Sequence, residues 1–226
     1  MAVSLVQETT RFREFGPLTG STFSLGVEFS PSLGGDSLSR TTFEGDARKY
    51  FRLGSTSIVF ATRARGFYSM GDDPAIFYYG GNMELRGYPY LSFSGNQGFF
   101  ANAELRFPVI NLAATPLGIL GPLRGTVYFG IGGAHYKGEP FTFASSDPGE
   151  SLVNYPGLAQ CAIQFTPDCI PQPVSGFHLV DGRASYGIGL QLFFLGYPMH
   201  FDWTKITDLK VVSRTSRFDF WIGFDF

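Results

Sequence analysis

Apolar side chains recur at every second position through most of this chain, and that period constrains its fold more than any other feature. In Phe23–Phe29 the odd positions are Phe, Leu, Val and Phe, while the even ones are Ser24, Gly26 and Glu28. From Phe99 to Phe107 one face reads Phe99, Ala101, Ala103, Leu105, Phe107 and the other Phe100, Asn102, Glu104, Arg106. The stretch 184–194 alternates in the same way, with Tyr186, Ile188, Leu190 and Leu192 against Ser185, Gly187, Gly189 and Gln191. The pattern is that of β-strands with one strongly apolar face. It predicts eight main strands at about 20–31, 39–52, 56–68, 97–108, 123–136, 181–195, 198–208 and 215–226, with residues 2–8 as a further short one.

The opposite face decides which side meets water. It carries Ser, Thr, Gly, Asn, Asp, Glu and Arg, and the chain has only four lysines, Lys49, Lys137, Lys205 and Lys210. Many of these residues are too small for a solubilising surface. A narrow eight-strand interior has no room for eight stripes of Phe and Leu, which need no complementary packing against lipid. No run reaches the ~18 apolar residues of a membrane helix, but barrel strands show only alternating segments of about ten. The predicted fold is therefore all-β: a transmembrane antiparallel up-and-down barrel of about eight strands over 20–226. Residues 1–19 form an N-terminal segment, either a remnant strand of a larger barrel or a piece outside the wall. Short turns at Leu53-Gly54-Ser55 and Gly196-Tyr197-Pro198 alternate with long loops near 69–96 and 137–180, the outer-membrane pattern. The apolar stretch 109–122 is predicted to be a small helix at the membrane interface. The alternation ending in Phe220, Ile222, Phe224 and Phe226 reads as a C-terminal signal for barrel assembly.

A formal net charge of −2 gives no basis for nucleic-acid binding. Cys161 and Cys169, close together in an otherwise Cys-free chain, are predicted to form one loop disulfide, which fits an oxidising environment. No metal or cofactor is implied. The fragments Gly130-Ile-Gly132 and Gly187-Ile-Gly189 do not lie between a strand and a helix, so they carry no dinucleotide signal. His200 and Asp202 share a strand face near a short turn, but without a Gly-x-Ser-x-Gly elbow they read as a lumen network and not as an enzyme. A chain bound for the outer membrane needs a secretion signal and Met1 opens on none, so the expectation is a piece of a longer protein.

Residues 79–91 read Tyr-Gly-Gly-Asn-Met-Glu-Leu-Arg-Gly-Tyr-Pro-Tyr-Leu, followed by the strand Phe100-Ala-Asn-Ala-Glu-Leu-Arg-Phe-Pro. With the strands after it and the terminal Phe, this loop resembles the bacterial surface antigen family, which includes the barrel-assembly insertase and two-partner-secretion transporters. The resemblance covers about 20–226. It implies a surface loop folded back into the lumen through Leu85, Arg86, Gly87 and Tyr88, with Arg86 paired to acids on later strands. Glu104 is the expected partner. The next strand offers Gly130 where the family has an inward Asp, and Asp202 is the expected replacement. Full family barrels have about twice as many strands. The expected function is an outer-membrane barrel that assists protein insertion or translocation. The alternative is a structural anchor, or a barrel that assembles with copies of itself and transports nothing. The expected partners are outer-membrane lipid, the barrel-assembly machinery and, in the alternative, a second copy.

Overall fold

The computed structural model describes the chain apart from residues 14, 15, 33, 35–37, 55, 56, 111, 112, 116, 117, 121, 165, 195, 196 and 224–226; at 13, 113–115, 118–120 and 194 it describes the backbone alone. Nine strands succeed one another across a single sheet. They are β1 (Ala2–Glu8), β2 (Gly16–Ser30), β3 (Arg40–Arg52), β4 (Val59–Gly71), β5 (Gln97–Ile110), β6 (Leu123–His135), β7 (Arg183–Phe194), β8 (Tyr197–Thr207) and β9 (Arg217–Ile222). Each pairs antiparallel with the next, and a tenth short strand, Arg11–Arg13, also pairs with β2. Residues 2–8 thus lie in the sheet, in register with 22–28 of β2.

The expectation of about eight strands closed into a barrel is corrected on two points. The described residues hold eighteen strands, because the loops contain four further two-stranded sheets. Their runs of two or three residues are too short to announce themselves by alternation. Among the described residues, no hydrogen-bonded pairing joins β1 to β9, so closure is not observed. The predicted interfacial helix is also corrected. Ala113–Thr115 pairs with Gly118–Leu120 as a small hairpin. Pro116 in the middle of that stretch lacks the N–H that a helix interior requires.

The two faces of the sheet are inverted relative to a soluble protein. Val127, Ile188, Trp203, Phe218 and Ile222 are exposed, whereas Arg63, Glu104, Arg106, Arg124, Gln191, His200 and Asp202 are buried. The polar face is covered because the 80–92 loop lies against it. That loop touches β4 through Arg63, β5 through Asn102 and Glu104, and β8 through Asp202. One short segment reaches strands four places apart only if the sheet curves around it.

Glycines on the concave side provide the room. A Cβ at Gly187 would lie 2.2 Å from the Trp203 carbonyl oxygen and 2.6 Å from the Tyr128 hydroxyl. One at Gly189 would lie 2.2 Å from an Asp202 carboxylate oxygen. These small residues are filled by larger side chains from neighbouring strands. Gly187→Ala should therefore destabilise the fold by about 1–3 kcal/mol through overpacking, read as a shift in the denaturant midpoint of the refolded protein. An unchanged midpoint would show that the sheet yields freely there.

Candidate functional site

The loop between β4 and β5 begins and ends as a hairpin, Phe77–Tyr79 pairing with Phe93–Gly95. Between these arms the chain turns inward. Phe77, Tyr79, Leu85 and Phe100 form a buried apolar cluster, with Phe67, Tyr88 and Phe93 packed on it. Gly87 adopts φ +84°, and a Cβ there would lie 2.6 Å from Thr204 Cγ2, so only glycine suits both the backbone and the contact with β8.

Arg86 is 7% exposed. Its Nη2 lies 2.8 Å from Glu104 Oε1, and its Nε lies 3.6 Å from Asp202 Oδ2. Nε also donates to the Asn82 carbonyl at 3.0 Å, and the guanidinium carbon sits 4.3 Å from the centre of the Tyr128 ring. The structure therefore brings Arg86 together with both of the acids named from the sequence, Glu104 more closely than Asp202. Asn102 and Leu85 occupy the space that a side chain at 130 would need: a Cβ on Gly130 would stand 2.7 Å from Asn102 Oδ1 and 2.9 Å from Leu85 Cδ1. An aspartate at that position would displace the loop's own apolar anchor. Tyr88 donates its hydroxyl to the Ala184 carbonyl at 3.2 Å, and burial pushes its phenol well above the usual range.

Several participants were missed in the sequence reading. Arg106 donates to Glu104 Oε2 through Nε and Nη2, at 2.9 and 2.8 Å. Trp221 donates from Nε1 to Asp202 Oδ2 at 2.8 Å. Asn102 donates to the Glu84 carbonyl at 2.6 Å, and Arg63 holds Asp46 while also reaching the Met83 carbonyl. Their signal was present: each lies on the polar face of an alternating strand. Glu84 accepts from the Gly80 N–H at 2.8 Å and lies 3.5 Å from Arg65; burial nevertheless holds its carboxyl above the ordinary range, against the pull of the Gly80 N–H, Arg65 and Arg63.

The remaining predicted residues lie elsewhere. Phe220 and Ile222 are exposed on the apolar face of β9, while Phe224 and Phe226 lie outside the described residues. Cys161 and Cys169 are bonded, joining the short helix Leu158–Ile163 to the turn Pro167–Cys169 in the longest loop. An Arg214–Asp168 ion pair ties that loop to the β8–β9 connection. His200 stacks on Trp221 with ring centres 3.6 Å apart, and its Nε2 lies 2.9 Å from the Gly223 carbonyl oxygen. Among the described residues, no group of His, Cys, Asp and Glu is arranged to hold a metal ion.

A family model described as the Omp85 superfamily domain matches residues 6–226. A comparison with curated proteins found no match.

Removing one partner of a buried ion pair typically costs about 3–5 kcal/mol. Arg86→Met should lower stability by that order and expose residues 80–92 to proteolysis. In a double-mutant cycle with Glu104→Gln, a coupling near zero would show that the pairing does not hold the loop.

Proposed function

From the premise that this chain belongs to the Omp85 superfamily, whose members are outer-membrane proteins, we propose that it is the transmembrane wall of an outer-membrane barrel, and that it assists insertion or translocation of polypeptide. The 80–92 loop is its lumen plug. The observation that carries this reading is the seating of Arg86 on Glu104 and Asp202, inside a sheet whose charged face is buried and whose aromatic face is exposed. Such an inversion is stable where the outer face meets hydrocarbon and the inner one pairs its charges. The reading assigns the chain no catalytic step, and its partners are lipid, unfolded client chains and the barrel-assembly machinery.

A second reading is supported by the two sheet edges. The outer edges of β1 and β9 have no strand partner among the described residues, and unpaired edges invite further strands. In this reading the sheet assembles with copies of itself and moves nothing.

Two measurements test the proposal. Ile188 lies midway along β7 and is exposed. Ile188→Arg should cost about 2–4 kcal/mol when folding is measured in vesicles, as for a cation near the bilayer midplane; no cost would place that face in water. In planar bilayers the protein should be silent, and deletion of residues 80–92 should give steady conductance. Insertion of an unfolded barrel client into vesicles should be faster with the protein than without it. Failure of both the conductance and the insertion assays would leave the self-assembling anchor as the better reading.

A further inference from the structure

The exposed apolar face is not uniform: it holds a groove of about 620 Å³. The strand register lays its floor. Lys49, Thr62 and Ala103 stand side by side on β3, β4 and β5, and the next row is Ala47, Ala64 and Ala101. One row further, Gly45 pairs with Gly66. Phe23 of β2 walls one side, and Phe129 and Ile131 of β6 wall the other. In register beyond these rows stand two aromatic pairs, Phe43 with Tyr68 on one side and Phe51 with Phe60 on the other, ring centres 6.5 and 6.3 Å apart. The volume falls within the ~300–1,000 Å³ of small-molecule sites.

Lys49 marks one end. Lys49 is exposed on this face, and its ammonium lies 5.7 Å from the centre of the Phe51 ring. Among the described residues no carboxylate pairs with it. Lys205, the other lysine on the apolar face, donates instead to the Ser213 and Arg214 carbonyls. An unpaired cation on a lipid-facing strand is tolerated near the interface and costly at the midplane. Lys49 lies three residues from the Arg52 end of β3, roughly 10 Å along a strand. Its stem can carry the ammonium to headgroup depth. Ser21 and Thr62 flank it in register, each bearing a hydroxyl.

We propose that this groove binds an anionic phospholipid: one acyl chain lies between the two aromatic pairs and the headgroup phosphate rests on Lys49. The proposal rests on the membrane reading above. Charge complementarity selects the occupant: the two arginines that line the groove, Arg48 and Arg63, are both paired with Asp46, whereas Lys49, with no carboxylate partner among the described residues, is left as an uncompensated cation at one end of an apolar trough that runs along the strands, as an acyl chain does.

The test uses the full chain refolded into phosphatidylcholine vesicles containing a minor fraction of phosphatidylglycerol, then extracted in mild detergent. Retained lipids are read by native mass spectrometry. Phosphatidylglycerol should be enriched about fivefold over its vesicle fraction, the effect expected of one cation near an anionic surface. Lys49→Gln should abolish the enrichment. Ala64→Phe, which leaves Lys49 in place but fills the trough, should abolish retention of the lipid. Far-UV circular dichroism and heat-dependent gel mobility establish that each variant is folded. Folded, inserted wild type without enrichment would overturn the site, as would an Ala64→Phe variant that retains lipid unchanged. A change of oligomeric state in Ala64→Phe without any lipid selectivity would assign the groove to a second copy and overturn the proposal. If the wild type fails to insert into either lipid, the membrane reading itself fails.

Discussion

A guanidinium held where water scarcely fits is the constraint on which the rest depends. The residual cavity beside Arg86 measures about 10 Å³, at the lower limit for a single water molecule. The charge must then be met by protein groups, and it is: by Glu104, Asp202, the Asn82 carbonyl and the face of Tyr128. Such an arrangement adds little net stability over an apolar packing of the same shape, but it admits one position of the loop and penalises others. Glu104 divides its oxygens between Arg86 and Arg106, so the loop is locked into a network that belongs to the wall.

The space for this network comes from residues that contribute almost nothing themselves. Gly130 yields to Leu85, Gly187 to Tyr128 and Gly189 to Asp202. The first joins the wall to the loop and the other two join neighbouring strands, so the concave side packs by alternating absence and bulk. This explains why Gly-Ile-Gly fragments occur twice in strands without any phosphate to bind.

Much of this was legible in the sequence because period-two alternation assigns a side to every residue of a long strand. The segments holding Phe99–Phe107 and Tyr186–Leu192 needed no tertiary information to be oriented, and the Leu-Arg-Gly-Tyr loop pointed to Arg86 and Glu104 directly. Asp202 was harder, since its approach to Arg86 depends on curvature that register alone does not give. Trp221 and Arg106 sat on the correct face but without a rule for choosing them among other inward side chains. The stretch at 109–122 was misread because its apolar residues alone suit either a short helix or a hairpin and only Pro116 speaks against the helix, and the pairings of two or three residues within the long loops fall below the length at which periodicity speaks. Closure lay beyond sequence reasoning altogether, because it depends on which edges meet.

Those edges carry a consequence of parity. Successive strands reverse direction, so in a run of nine the first and the last, β1 and β9, travel the same way through the wall. Brought face to face they would form a parallel seam, with the evenly spaced, slanted hydrogen bonds of that geometry. A filler that runs opposite to both restores the alternating ladder on each side, and only an odd count of such fillers does so. The opening between the two rims is thus polar in the directional sense: it discriminates by chain direction before any side chain is read.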